Sequence, residues 1–391
     1  MAKTVYIFGA GINKAIQDWD GLSPPLVWDF FQVALKHRTT GSQEYRRRIK
    51  EVFDFIERHW GLSVHDLETQ PFDLEACFTF IFERLDEAQK AAHQDALQDL
   101  LKVYFRLTAT LAELLGEFFH YPSEEFRALG EIILADKAAV LTFNYDTLIE
   151  STVESASGVR AKLPASFLRP PTDRDEITDE ELAYSHFNLN RPLVYGVRFD
   201  EVRLQRAGVP AHVPGPRFYG YRENQFYDPP ILKLHGSLNW FKQTGVPKFP
   251  GLPPSMLGAK PQPNQTVLTE AHWWLNEFPD MRGWLLEPLI VTPGFHKDYS
   301  SPILTDLWRQ AREQLKDCHR LIVGGYSLPD NDAEPRRLLR EAFVARTPEE
   351  LIVINPDPGV VEKIKSLCSY QAQAIVYKDL AEFVSSYTPR E

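Results

Sequence analysis

The chain has 391 residues, enough to bury a full core as one large domain or as two. Hydrophobic residues make up 43% and aromatic residues 12%, which fits an ordinary globular protein and excludes a disordered or fibrous one. With 54 acidic against 43 basic residues the formal net charge is −11, which argues against a broad nonspecific nucleic-acid surface built from concentrated Lys and Arg.

From the N-terminus, Met1-Ala2-Lys3-Thr4 leads straight into the apolar run Thr4–Phe8, with no secretory leader expected ahead of it. Similar runs recur at Ala139–Phe143, Pro230–Leu234, Leu289–Thr292, Leu321–Gly324, Leu351–Ile354 and Ala374–Tyr377. They are short, rich in β-branched residues and nearly unalternating, the pattern of parallel strands covered by helices on both faces. Helix patterns over Ser301–Cys318, Pro335–Ala345 and Pro358–Leu367 lie between the later runs, so the last third reads βαβαβ. The fold expected is α/β, a Rossmann-like parallel sheet within one domain spanning 1–391.

Two insertions interrupt that plan. Segment 28–130 is charged and helix-periodic and reads as a helical insertion between the first two strands. Segment 151–227 is rich in Pro, Arg and aromatics with weak periodicity; it reads as an irregular insertion and a candidate interface. Gly245–Thr266 is dense in Pro and reads as a surface loop. Arg46-Arg47-Arg48 reads as a solvated helix face. Cys77, Cys318 and Cys368 are scattered with no CxxC pair, so neither a zinc ribbon nor a disulfide framework is expected, and no metal site. No apolar stretch approaches the ~20 residues of a membrane helix, and a cytoplasmic location is expected.

Four strand ends carry chemistry. Gly9-Ala10-Gly11 opens toward Asn13, where glycines let backbone approach a pyrophosphate, although a plain strand-to-helix turn would look the same. Thr142-Phe143-Asn144-Tyr145-Asp146 sets a carboxamide and a carboxylate about a tyrosine; the bland reading is a cap on the following helix. Lys233-Leu234-His235-Gly236 places an imidazole at a strand end beside a glycine that permits close approach, suited to proton transfer near neutral pH. Gly324-Gly325-Tyr326-Ser327-Leu328-Pro329 is a second glycine-rich strand end. Asn355-Pro356-Asp357 follows another strand, where an acidic group commonly pairs with ribose hydroxyls and where a turn with a helix cap is the alternative.

In this order, the set resembles the sirtuin fold, and most closely the sirtuin-like NAD hydrolases of prokaryotic antiviral defence systems, whose TxNYD element matches Thr142–Asp146. Asn13 stands where the family's GAGxS has serine. The resemblance implies hydrolysis of NAD, as substrate, to ADP-ribose and nicotinamide, depleting cellular NAD during phage infection. It assigns Asn144 to the nicotinamide ribose and a water, His235 to proton acceptance, and Asp146 to the nicotinamide end. Gly9, Ala10, Gly11 and Asn13, with Gly324 and Ser327, would meet phosphates and adenosine; Asn355 and Asp357 would meet the adenine ribose. It further implies a partner, either a HerA-type hexameric ATPase or an Argonaute, with DNA engaged only indirectly. Phe30-Phe31, Phe118-Phe119, Phe187, Tyr195 and Phe218-Tyr219 exceed what a sheet needs for cover, so a homo-oligomer is expected. A DNA nuclease subunit and an NAD or ADP-ribose sensor are the alternatives. An NAD-dependent deacylase is disfavoured by the missing cysteine pairs.

Overall fold

The computed structural model describes residues 3–18, 21–118, 123–156, 195, 197, 199–206, 209–214, 230–247, 265–269, 284–294, 297–329 and 332–389. Most of segment 151–227 and of Gly245–Thr266 therefore lies outside the described residues, as do Phe119, Phe187, Phe218 and Tyr219. The chain forms two compact units, the first Met1–Ile12, Pro122–Ile290 and Tyr299–Glu391, the second Asn13–Tyr121 and Val291–Asp298.

The second unit is helical: α1 (Phe30–Lys36), α2 (Gln43–Arg48), α3 (Lys50–Trp60), α4 (Val64–Thr69), α5 (Leu74–Lys90) and α6 (Gln94–Phe118). Its helices begin where the sequence supplies caps. Ser63 and Asp66 form a reciprocal capping box on α4, and Asp73 accepts the Ala76 amide at 3.0 Å to start α5. Of the triple arginine, Arg47 and Arg48 are exposed, as a solvated face requires, while Arg46 is half-buried. Arg46 donates to the Gly41 and Leu35 carbonyls, and Arg48 grips Glu113 and lies 4.4 Å over the Tyr45 ring. A guanidinium carries enough donors to serve several acceptors of its own unit at once.

In the first unit, six strands form an all-parallel sheet: β1 (Lys3–Phe8), β2 (Ala139–Thr142), β5 (Ile231–Lys233), β9 (Cys318–Gly324), β10 (Glu350–Ile354) and β11 (Ile375–Tyr377), in the order β11-β10-β9-β1-β2-β5. Val5, Tyr6, Val140, Leu141, Leu321, Ile322, Leu351 and Val353 are buried on both sheet faces, which explains the unalternating apolar runs. Among the described residues, the helices of this unit are α7 (Glu124–Ala135), α8 (Leu148–Ala156), α9 (Pro302–Lys316), α10 (Ala333–Ala342), α11 (Pro358–Leu367) and α12 (Leu380–Ser386). The expected α/β fold is therefore present.

A second, five-stranded sheet was not legible in the sequence: β3 (Glu201–Arg206), β4 (Val209–Pro214), β6 (Gly236–Pro247), β7 (Thr266–Thr269) and β8 (Trp284–Ile290), ordered β4-β3-β7-β6-β8. The run Leu289–Thr292, expected in the parallel sheet, instead ends β8, antiparallel to β6. The chain changes sheets over Leu234 and His235, between β5 and β6.

At the strand start of the parallel sheet, Tyr6 and Tyr387 both donate to one Asp136 oxygen (2.8 and 2.7 Å), and Arg320 bridges Tyr387 and Glu350. Burial, reinforced by Asp136, pushes the Tyr6 phenol well above its ordinary range and Tyr387 upward too. Burial also raises the thiols of Cys77, Cys318 and Cys368 from 9.0 to about 12. Because the folded-state values lie above the unfolded ones, this stability is fully present below about pH 9 and is lost as the pH climbs toward 12. The melting temperature is expected to fall steadily across that window, with no native-state thiol labelling below it. A flat profile from pH 9 to 12 would contradict the burial of these groups.

The aromatic interface candidates that lie among the described residues are internal. Phe30, Phe31, Phe118 and Tyr195 are at most 4% exposed, so they furnish core and not a docking face. Among the described residues, the large apolar side chains left exposed are Leu26, Trp28, Leu101, Val344, Ile375 and Val376.

Candidate active site

Strand register gathers the candidate residues. Phe8 pairs with both Thr142 and Gly324, Thr142 with Lys233, and Gly324 with Ile354, so β10, β9, β1, β2 and β5 end in one row. The segments that follow these ends carry Asn355 and Asp357, Ser327, Gly9 to Gly11, Asn144 and Asp146, and His235. The chain order reverses between β9 and β1, which is where an open α/β sheet leaves its ligand crevice. Asn13 is the first residue of the second unit and is buried.

The two glycine loops hold each other. Gly9 N donates to Gly324 O (3.1 Å), Gly11 N to Gly325 O (2.8 Å) and Gly325 N to Ile354 O (3.0 Å). A Cβ on Gly9 would meet Tyr326 at 2.7 Å, and one on Gly11 would meet the Gly325 carbonyl at 2.7 Å. These glycines thus admit neighbouring backbone, where the sequence suggests room for phosphate, and their amides already have acceptors. Ser327, on the same loop, is exposed.

Asn144 and Asp146 serve the turn they sit in. The Asn144 amide nitrogen Nδ2 donates to Gly9 O at 3.3 Å, and its backbone N–H donates to Thr142 Oγ1 at 3.1 Å. Asp146 Oδ1 accepts the Leu148 amide (3.0 Å) at the start of α8, the capping role. Tyr145 between them gives its carbonyl to Ser237 Oγ (3.1 Å) and Leu238 N (2.9 Å).

His235 occupies the corner between the two sheets and is 5% exposed. Gly236, with φ +76, follows it because a Cβ there would lie 2.1 Å from Leu289 O; the glycine admits β8, not a ligand. The imidazole packs against Phe143 (5.0 Å between centroids) and Tyr145 (6.3 Å), the two residues flanking Asn144. Its Nε2 is hydrogen-bonded to the Tyr299 hydroxyl at 3.2 Å, whichever of the two donates. Trp308 closes the surround, 5.0 Å from Tyr299 and donating to Leu234 O at 3.0 Å. An imidazole and a carboxamide therefore share one aromatic-lined strand edge, with a phenol on the imidazole.

Asn355 and Asp357 form a turn and a helix cap. Asn355 Oδ1 accepts Asp357 N (2.9 Å), and Asp357 Oδ1 accepts Gly359 N (2.8 Å) to begin α11. Sequence reasoning missed Tyr299, which lies 64 residues beyond His235 with no motif around it. It also passed over Lys233, although a lysine amid Ile231, Leu232 and Leu234 was itself a signal, since lysine is almost never fully buried unless paired.

No protein-family model matches the chain and no curated protein matches it. Among solved structures the chain is similar to a Sir2 homolog–NAD complex, with 13% identity, 98% of this chain and 87% of that one covered, and a TM-score of 0.39. A mutant Sir2 homologue in complex with 2'-O-acetyl ADP ribose shows 14% identity over 98% and 88% of the two chains, with a TM-score of 0.37. A third, from work on the mechanism and regulation of Sir2 enzymes, shows 13% identity over 98% and 89%, with a TM-score of 0.38.

Proposed function

We propose that the protein hydrolyses NAD to ADP-ribose and nicotinamide, with Asn144 and His235 as its catalytic residues. The observation that carries this reading is the placement of Asn144 and His235 at the ends of adjacent strands β2 and β5, beside the paired glycine loops of β1 and β9. The motif resemblance supplies the substrate. Water bonds to C1' of the nicotinamide ribose as the C1'–N bond breaks, its electron pair passing to the cationic pyridinium ring and its proton to His235. Asn144 orients the ribose hydroxyls and the water, and the surrounding rings exclude bulk solvent. The exposed Ser327, beside the glycine loops, faces the phosphate and adenosine end, with Asn355 and Asp357 toward the adenine ribose. NAD depletion in phage defence, assembly into a homo-oligomer, and control by a HerA-type ATPase or an Argonaute belong to the same reading and rest on the resemblance.

The test is incubation of the pure protein with NAD, alone and with candidate partners, followed by quantification of nicotinamide. Binding without release under every condition would replace the hydrolase with a sensor. A finer check is Asn144→Ala. Losing one hydrogen bond to Gly9 O should cost about 1 kcal/mol of stability, while turnover becomes nearly undetectable. An unfolded variant would make Asn144 a structural residue only.

A further inference from the structure

Beneath the turn that carries Asn144 lies a charged cluster for which hydrolysis has no use. The side chains of Lys233 and Glu150 are 0% and 1% exposed and form an ion pair, Nζ to Oε1, at 3.1 Å. Tyr195, fully buried, donates its hydroxyl to the same Glu150 oxygen at 2.7 Å. Lys233 Nζ also donates to the Asp146 carbonyl. Glu150 sits in the first turn of α8, directly after the Asn144–Asp146 turn.

Stability alone does not explain this cluster. A buried ion pair must offset the desolvation of both charges, and well-packed apolar residues of similar volume commonly do as well or better. An apolar pair could fill the space, but it could not donate to the Asp146 carbonyl. With Ser237 Oγ and Leu238 N on the Tyr145 carbonyl, the Lys233 contact means that both carbonyls after Asn144 are held by the segment Lys233–Leu238. That segment includes His235.

We propose that Lys233, paired with Glu150 and steadied by Tyr195, is a positioning residue that holds the Asn144–Asp146 turn in register with His235. The consequence for turnover rests on the reading of Asn144 and His235 as the catalytic pair. The mechanical part does not.

The decisive variant is the double substitution Lys233→Met with Glu150→Leu, which removes both charges together. It is expected to fold with a moderately lowered melting temperature, because the Tyr195 hydroxyl and the Asp146 carbonyl lose their partners. Its kcat should fall by about tenfold or more with KM little changed, since small displacements of reacting groups are costly. Amide hydrogen exchange in the peptide covering Phe143–Glu150 should speed up by about tenfold, because the turn loses its anchor. A folded double variant with normal kcat and unchanged exchange would overturn the proposal. So would a double variant that cannot fold, because the pair would then be required by the core itself. If wild-type protein releases no nicotinamide, the hydrolase reading fails on its own, and the exchange measurement still decides whether Lys233 fastens the turn.

Discussion

His235→Ala is expected to lower nicotinamide release by about 10²-fold or more, the usual scale for losing a general base. NAD binding should weaken far less, because the groups assigned to the phosphates and adenosine lie at other strand ends. The fold should persist. The corner at His235 is set by Gly236 against Leu289 and by Trp308 on the Leu234 carbonyl, none of which needs the imidazole. Tyr299→Phe is the informative companion, since it strips the hydroxyl from Nε2 and keeps the ring. It should retain more activity than His235→Ala. Parallel calorimetry and nicotinamide assays separate the outcomes, and wild-type turnover in His235→Ala would remove the residue from the mechanism.

Much of this site was legible because strand ends advertise themselves. A buried parallel strand must be apolar on both faces, so the first polar or glycine residue after each run marks the sheet edge, and register then brings those edges together. What the sequence concealed is equally physical. In β6, Ser237, Leu238, Asn239 and Trp240 alternate polar and apolar, but the alternation breaks at Phe241, and all four are buried, so the polar positions do not mark a solvent face. In β4, Pro210 and Pro214 argue against a strand, yet β4 is an edge of its sheet, where a missing amide is tolerated. The excess of aromatics misled for a related reason: Phe30, Phe31 and Tyr195 fill interiors that the helical unit and the second sheet create. The glycines were recognised as sites of close approach, but a sequence cannot say whether the approaching group is a phosphate or another loop.

That last distinction can be measured at Gly325, whose substitution by alanine should be among the most damaging single changes in the chain. Its φ is +61, and a Cβ would lie 1.8 Å from Ile12 N and 2.5 Å from the Gly11 carbonyl carbon. Both neighbours are backbone, so neither can swing aside as a flexible side chain would. Left-handed strain in a residue other than glycine costs about 1–3 kcal/mol, and overpacking adds about 1–3 kcal/mol. Gly61→Ala isolates the first contribution: its φ is +71, it ends α3, and nothing lies within 4 Å of the added atom. Ser327→Ala, at an exposed position two residues beyond Gly325, should change stability by no more than about 0.5 kcal/mol. Thermal melting of the three variants should therefore rank Ser327→Ala, Gly61→Ala and Gly325→Ala in order of increasing loss. If Gly325→Ala proves no worse than Gly61→Ala, the loops after β1 and β9 are not locked together, and their glycines regain the simpler role of making room for a ligand.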